Sequence, residues 1–144
     1  MTDAVSHLIH EHQDCNAKLT VAEAAMQRLD WPLARDAFGQ AEALLLSHFR
    51  LEEAVLFPAF ESATGMTQGP TKVMRDEHAV IRDLLENCRS QLQANDSEGF
   101  LAELDTLVIL LQQHHVKEEN VLYPMCRAHV PALDQLMAAP PALP

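Results

Sequence analysis

The stretch that decides the fold lies at residues 48–58, HFRLEEAVLFP, because it recurs 66 positions later as HHVKEENVLYP at residues 114–124. The same shift relates the Glu-His pair at residues 11–12 to the Glu-His pair at residues 77–78. A repeat that is longer than a single helix predicts two copies of a helix pair.

Apolar residues three and four positions apart surround both copies, and this spacing predicts amphipathic helices. Only 4 of the 144 residues are Gly, and β-branched residues are few, which also favours helices over strands. Asp30-Trp31-Pro32 and Asn95-Asp96-Ser97 supply caps at two helix starts. We predict helices over about residues 3–28, 32–60, 71–93 and 97–125, a linker over 62–70, and a short extra helix over 131–137.

These elements predict an all-α fold, namely an antiparallel up-down-up-down four-helix bundle with an internal two-fold helix-pair repeat. We predict one domain over residues 1–144, with its core at about 4–126 and a short C-terminal extension at 127–144. The last residues, 140–144, are predicted to fray. Inside the bundle, four histidines each lie about 16 residues from the predicted connecting end of their helix, so all four should reach one height. They are His12, His48, His78 and His114.

The overall charge narrows the range of partners. A formal net charge of −11 argues against nucleic acid and against anionic membrane surfaces. The longest apolar runs are too short to cross a bilayer, and residues 1–7 lack the pattern of a secretory signal. Three cysteines without a CxxC spacing suggest reduced thiols. We therefore expect a cytoplasmic protein that binds neither nucleic acid nor membrane; its protein partners stay open.

The repeated His and Glu side chains predict a metal site. His48 and Glu52 lie four residues apart on the apolar stripe of the second helix, which is predicted to continue to Val55. His114 and Glu118 lie in the same way on the stripe of the fourth helix, which is predicted to continue to Val121. A carboxylate in such a core costs several kcal/mol unless a cation compensates it, and no Lys or Arg shares these stripes. The candidate metal ligands are His12, His48, Glu52, His78, His114 and Glu118.

The remaining histidines carry weaker predictions. His7, His10 and His129 fall off the apolar stripes, so solvent exposure is expected. His115 competes with His114, but the repeat places His115 opposite Phe49. Their roles stay open. Glu53 and Glu119 each follow a candidate ligand by one residue and point about 100° away, so we expect outer or surface positions, with Glu119 the weaker alternative ligand.

Four imidazoles and two carboxylates suit Fe, Mn or Zn better than Mg or Ca. Two ions that share both carboxylates would each take two histidines and keep open coordination positions. Structural zinc is normally closed and tetrahedral, so this arrangement favours redox iron. Tyr123, which replaces Phe57 in the second repeat, could contact a bound ligand, but core packing is the stronger expectation.

Together these motifs over about residues 4–126 resemble the hemerythrin-like family of cation-binding domains. The resemblance rests on Glu11-His12, on the His48-x-x-x-Glu52 motif with Pro58, and on their second copies. It implies a non-haem, oxo- or hydroxo-bridged di-iron centre, with Mn or Zn as substitutes. Glu52 and Glu118 would bridge, His12 and His48 would bind one iron, and His78 and His114 the other.

The chain departs from the pattern of the oxygen-carrying members. Those proteins have a further histidine four residues from the third-helix histidine, where Met74 and Arg82 stand here. They use an aspartate five residues beyond the fourth-helix histidine, whereas this chain has Glu118 at four. The resemblance therefore implies a more symmetric pair of irons and makes reversible oxygen carriage less favoured.

Three functions fit these features. The leading hypothesis is a protein that binds or senses O2, peroxide or nitric oxide at the di-iron centre. The first alternative is a di-iron enzyme that removes peroxide or nitric oxide, as some small bacterial relatives are associated with peroxide removal. The second is an iron-holding or iron-centre repair protein, like another branch of the family.

Overall fold

The computed structural model describes residues 3–138, and within that range the chain is helical without a strand. The helices are α1 (Ala4–Gln27), α2 (Trp31–Leu51), α3 (Phe57–Thr64), α4 (Pro70–Gln93), α5 (Ser97–Lys117), α6 (Tyr123–His129) and α7 (Leu133–Ala138). Two π-helical segments, Glu52–Leu56 and Glu118–Leu122, join α2 to α3 and α5 to α6 without a break. The all-α prediction is confirmed, with four long helical segments and a short fifth helix. The tail predicted to fray, residues 140–144, lies outside the described residues.

Both helix pairs turn in the same way, so the repeat includes the connecting loops. Leu29 and Asn95, 66 positions apart, have left-handed backbones with φ of 59° and 55°. Each is followed by an aspartate that caps the next helix: Asp30 accepts a hydrogen bond from the backbone N–H of Leu33, and Asp96 from that of Gly99. A side-chain oxygen at this position satisfies one of the free N–H groups of the first turn.

The π-helical segments follow from the two repeated prolines. Pro58 and Pro124 have no N–H, and in a regular α-helix each ring would clash with the carbonyl four residues earlier. The chain avoids this clash by widening the preceding turn: Phe57 donates its N–H to the carbonyl of Glu52, five residues back. In the second repeat Tyr123 bonds Glu118 in the same way. Single π turns inside α-helices are frequent at functional sites.

Widening the turns corrects two features of the sequence prediction. Val55 and Val121 were expected on the inner stripe, but Val121 is 51% exposed and Val55 is partly exposed. The extra residue in each π turn rotates the next positions, so Leu56 and Leu122 are buried instead. The second correction concerns length, because α3 and α6 run several residues beyond the predicted ends.

The core consists of two apolar clusters, and the candidate ligands lie where each long segment passes from one cluster to the other. On α1, for example, His12 separates Leu8 of one cluster from Cys15 of the other. On α4, His78 separates Met74 from Ile81 in the same way. Apolar packing on both sides therefore fixes the height of the polar layer. None of the helices in residues 3–138 combines the length and apolarity needed to cross a bilayer.

Candidate metal centre

The structure brings all six predicted ligands into one buried layer. Their donor atoms form two groups in which every atom lies within 4.8 Å of the others. The first position is formed by His12, His48, Glu52 and Glu118, and the second position by His78, His114 and the same two glutamates. None of the six side chains is more than 2% exposed. Glu52 and Glu118 are therefore placed to bridge the two positions.

Glu52 opens the first π-helical segment and points one carboxylate oxygen at each position. Its Oε2 lies 3.4 Å from Nε2 of His48, and its Oε1 lies 3.2 Å from Nε2 of His78. Burial works against ionisation of Glu52, but the positive charge of His48 and several hydrogen bonds lower its pKa well below the usual value. Burial likewise opposes the charge on His48, yet Glu52 and Glu11 raise its pKa to about 9. Glu52 and His48 thus form an ion pair in the metal-free site.

Glu118 opens the second π-helical segment and also lies between the two positions, but a single one of its oxygens faces both. Its Oε1 lies 3.2 Å from Nε2 of His12 and 3.3 Å from Nε2 of His114. Complete burial and the nearby negative charge of Glu52 raise the pKa of Glu118 well above its usual value. Two buried negative charges so close together repel, so Glu118 favours its protonated form wherever no cation balances the pair.

An outer ring of four carboxylates orients the four imidazoles. Each candidate ligand uses its Nδ1 to donate to a glutamate: His12 to Glu119 (2.7 Å), His48 to Glu11 (3.1 Å), His78 to Glu53 (2.7 Å) and His114 to Glu77 (2.8 Å). The four pairs obey the 66-residue repeat. A proton held on Nδ1 turns Nε2 inward as the atom that would bind a metal, which is how protein carboxylates prepare histidines for a metal.

Two stacked rings complete the walls of the site. Phe49 stacks on His78 with ring centroids 3.7 Å apart, and His115 stacks on His12 at 3.6 Å. This matches the repeat, which aligned His115 with Phe49, and His115 belongs to neither donor group. Burial, followed by the charge of His12, lowers the pKa of His115 to about 2, so its ring is neutral. The other three histidines outside the site, at positions 7, 10 and 129, are exposed as expected.

Tyr123 packs in the core as expected, and its hydroxyl also reaches the metal layer. Its hydroxyl donates to Oε2 of Glu52 at 2.7 Å and lies 3.2 Å and 3.4 Å from Nε2 of His12 and His48. Oε1 of Glu118 is 3.3 Å away. The hydroxyl therefore contacts all four side chains of the first position. An α-helical register hid this, because the π turn is what aligns Tyr123 with Glu118.

The donor atoms of the second position are incomplete without an ion. Within residues 3–138, Nε2 of His78 and of His114 have no hydrogen-bond partner, and neither do Oε1 of Glu52 and Oε2 of Glu118. His78 does lie 3.2 Å from Glu52, but the pair lacks hydrogen-bond geometry. Buried polar atoms without partners are costly. Four such atoms, all of them metal-ligand types, fit a cation.

Sequence reasoning gave Glu53 and Glu119 outer or surface positions but assigned no role to Glu11 and Glu77, and it favoured core packing alone for Tyr123. The repeat could have revealed the carboxylates, because Glu11 and Glu77, like Glu53 and Glu119, are identical across it. Glu119 orients His12 rather than joining either donor group. No comparable signal marked Tyr123, since its equivalent is Phe57.

Comparison with known proteins agrees with this geometry. The model of the family described as Hemerythrin HHE cation binding domain matches residues 3–126. No match was found among curated proteins or among solved structures. The matched range includes every residue of both donor groups.

Proposed function

Because the chain belongs to the Hemerythrin HHE cation binding domain family, we propose that it holds two iron ions, one in each position, and binds or senses O2, peroxide or nitric oxide there. The observation that carries the proposal is the pair of four-residue donor groups that share Glu52 and Glu118. Two groups that share two carboxylates provide for two neighbouring ions rather than one.

The donor set supports iron over harder ions. Imidazole nitrogen suits Fe, Zn and Mn, whereas Mg and Ca prefer oxygen ligands. Each position offers two imidazoles and shared carboxylates, which leaves coordination positions open for a small molecule. Bound iron would supply reversible one-electron chemistry and affinity for small oxygen and nitrogen ligands. Mn or Zn would compete for the same donors.

The protein's own residues shape such a site in three ways. The outer carboxylates keep each Nε2 directed inward, and the apolar clusters above and below exclude bulk water. Tyr123 offers a hydroxyl to the first position.

We also propose that the four long segments run up-down-up-down, because the short connections after α1 and α4 favour antiparallel neighbours. The three buried free thiols support a reducing, cytoplasmic location.

A second candidate function is enzymatic removal of peroxide or nitric oxide. The position of the Tyr123 hydroxyl favours it, because a donor beside the reacting molecule can supply a hydrogen bond or a proton. Sustained O2 release from added peroxide would support this alternative. A single stoichiometric oxidation of the protein would support binding or sensing.

Anaerobic ferrous reconstitution tests the main proposal. Protein loaded with ferrous iron is exposed separately to O2, peroxide and nitric oxide while absorption spectra are recorded. We expect two irons per chain and a near-ultraviolet band of an oxo-bridged ferric pair after oxidation. A double variant, Glu52→Gln with Glu118→Gln, should lose the pair, whereas Glu86→Gln on the exposed face of α4 should retain it. A double variant that still binds two irons would contradict the proposal.

A further inference from the structure

The outer carboxylates of the two positions differ in the cations that pair with them, although the repeat makes the carboxylates themselves identical. Behind the second position, Glu53 forms two hydrogen bonds of 2.8 Å with Arg82, and Glu77 pairs with Lys117. Each outer carboxylate of the second position is therefore neutralised by a cation.

Behind the first position the corresponding cations are missing. The repeat equivalents of Arg82 and Lys117 are Asn16 and Leu51. Within residues 3–138, no Lys or Arg pairs with Glu11 or Glu119; the one basic group near Glu11, besides the histidine it orients, is the exposed His7 ring at 4.0 Å.

The two positions also differ in the side chain that lies beside their ligands. The first position has the Tyr123 hydroxyl within 3.4 Å of its four side chains, while the second position has Phe57 as the equivalent residue. Phe57 offers no donor atom, and its ring centroid lies 5.5 Å from that of His78. The missing cations give the first position more negative surroundings than the second, and the hydroxyl is a polar group that the second position lacks.

We propose that the two metal positions are electrostatically inequivalent: the first position takes the more highly charged, ferric ion, and the second position keeps the ferrous ion. This rests on the proposed pair of irons. An unneutralised carboxylate attracts a trivalent ion more strongly than a divalent one, whereas a neutralised carboxylate discriminates little between them. The ligand sets are equal, so the cations of the outer ring decide which position is the more negative.

The repeat itself supplies the variants for a first test. Arg82→Asn and Lys117→Leu convert the second position into a copy of the first, and Asn16→Arg does the reverse. Arg89→Asn is the matched control, because Arg89 also pairs with a glutamate, Glu42, but that carboxylate orients no candidate ligand. Iron-free protein is titrated with Mn²⁺ alone in a calorimeter, which resolves a stronger and a weaker binding step.

Removing the cations should strengthen the weaker step by about three- to tenfold for each cation, from the Coulomb energy at roughly 9 Å in a medium close to water. Asn16→Arg should weaken the stronger step by a similar factor, and Arg89→Asn should change neither. Unchanged steps in the first two variants, or a shift in Arg89→Asn as large as theirs, would overturn the inference. Failure to bind two Mn²⁺ or two irons would instead remove the proposed function beneath it.

Mössbauer spectra of half-reduced protein, loaded with ⁵⁷Fe, locate the ferric ion. We expect one ferric and one ferrous component. Tyr123→Phe, which copies Phe57, should shift the ferric component more than the ferrous one, because the hydroxyl contacts His12 and His48 but neither His78 nor His114. A larger shift of the ferrous component would place the charges the other way round and refute the assignment.

Discussion

Replacing Glu118 by Gln should stabilise the metal-free protein while abolishing stabilisation by metal. Glu118 is fully buried beside Glu52, and both effects raise its pKa well above the ordinary 4.5. A raised pKa in the folded state means that this carboxyl contributes full stability below pH 4.5 and loses it as the pH rises toward the folded pKa. Each pH unit in that window costs about 1.4 kcal/mol, so the cost at pH 7 is at most about 3 kcal/mol.

Gln has nearly the shape of a protonated Glu and no charge to suppress. The variant should therefore gain up to about 3 kcal/mol at pH 7, or roughly 10 °C in Tm for a chain of this length. At pH 4.5 the gain should vanish. The assay is thermal unfolding of chelator-treated wild type and variant from pH 4.5 to 8, with exposed Glu86→Gln as the control.

Added iron or Mn²⁺ reverses the order, because a neutral amide bridges two cations poorly. Wild type should then be the more stable protein. A metal-free Glu118→Gln that is less stable than wild type at pH 7, or that keeps the full metal-induced rise in Tm, would refute the reasoning.

Three further perturbations follow from the structure. Chelation of the loaded wild type should lower Tm by about 10–15 °C for each site at which the free metal concentration had been a thousandfold above the Kd. Differential scanning calorimetry measures this drop, and an unchanged Tm would contradict it. His115→Phe, which copies Phe49 of the first repeat, should lose less stability than the wild type as the pH falls below 6.5. The buried His115 ring has a pKa of about 2, so in the wild type only the unfolded chain gains the proton. Urea unfolding at pH 7 and pH 5 measures this effect, and an equal drop in the free energy of unfolding of both proteins would exclude it. Gly65→Ala should cost about 1 kcal/mol, because Gly65 ends α3 with a φ of 72° while nothing lies within 4 Å of an added Cβ; urea unfolding that shows no loss would mean that the backbone there relaxes.

The sequence predicted much of this molecule because its repeat is strong. The 66-residue shift located all six residues of the donor groups, and helix periodicity with caps at Asp30 and Asp96 located the helices. Periodicity could not show the π turns, because it assumes a constant register, and that error misplaced Val121 and hid Tyr123. The prolines at 58 and 124 were the available signal for both turns.

Other features depend on contacts between distant segments. The pairing of His12 with Glu119, 107 residues away, follows from how α1 packs against the second π-helical segment. The neutralisation of Glu53 by Arg82 likewise requires the two segments to be adjacent. A single sequence contains these residues but not their neighbours, so the charge difference between the two positions could be seen only in the structure.

Anomalous X-ray diffraction at the iron edge, from crystals of the iron-loaded protein, tests the central claim most directly. We predict two peaks, one at bonding distance from the Nε2 atoms of His12 and His48, the other from those of His78 and His114, with Glu52 and Glu118 between them. One peak alone, or iron bound only to surface carboxylates, would contradict the account.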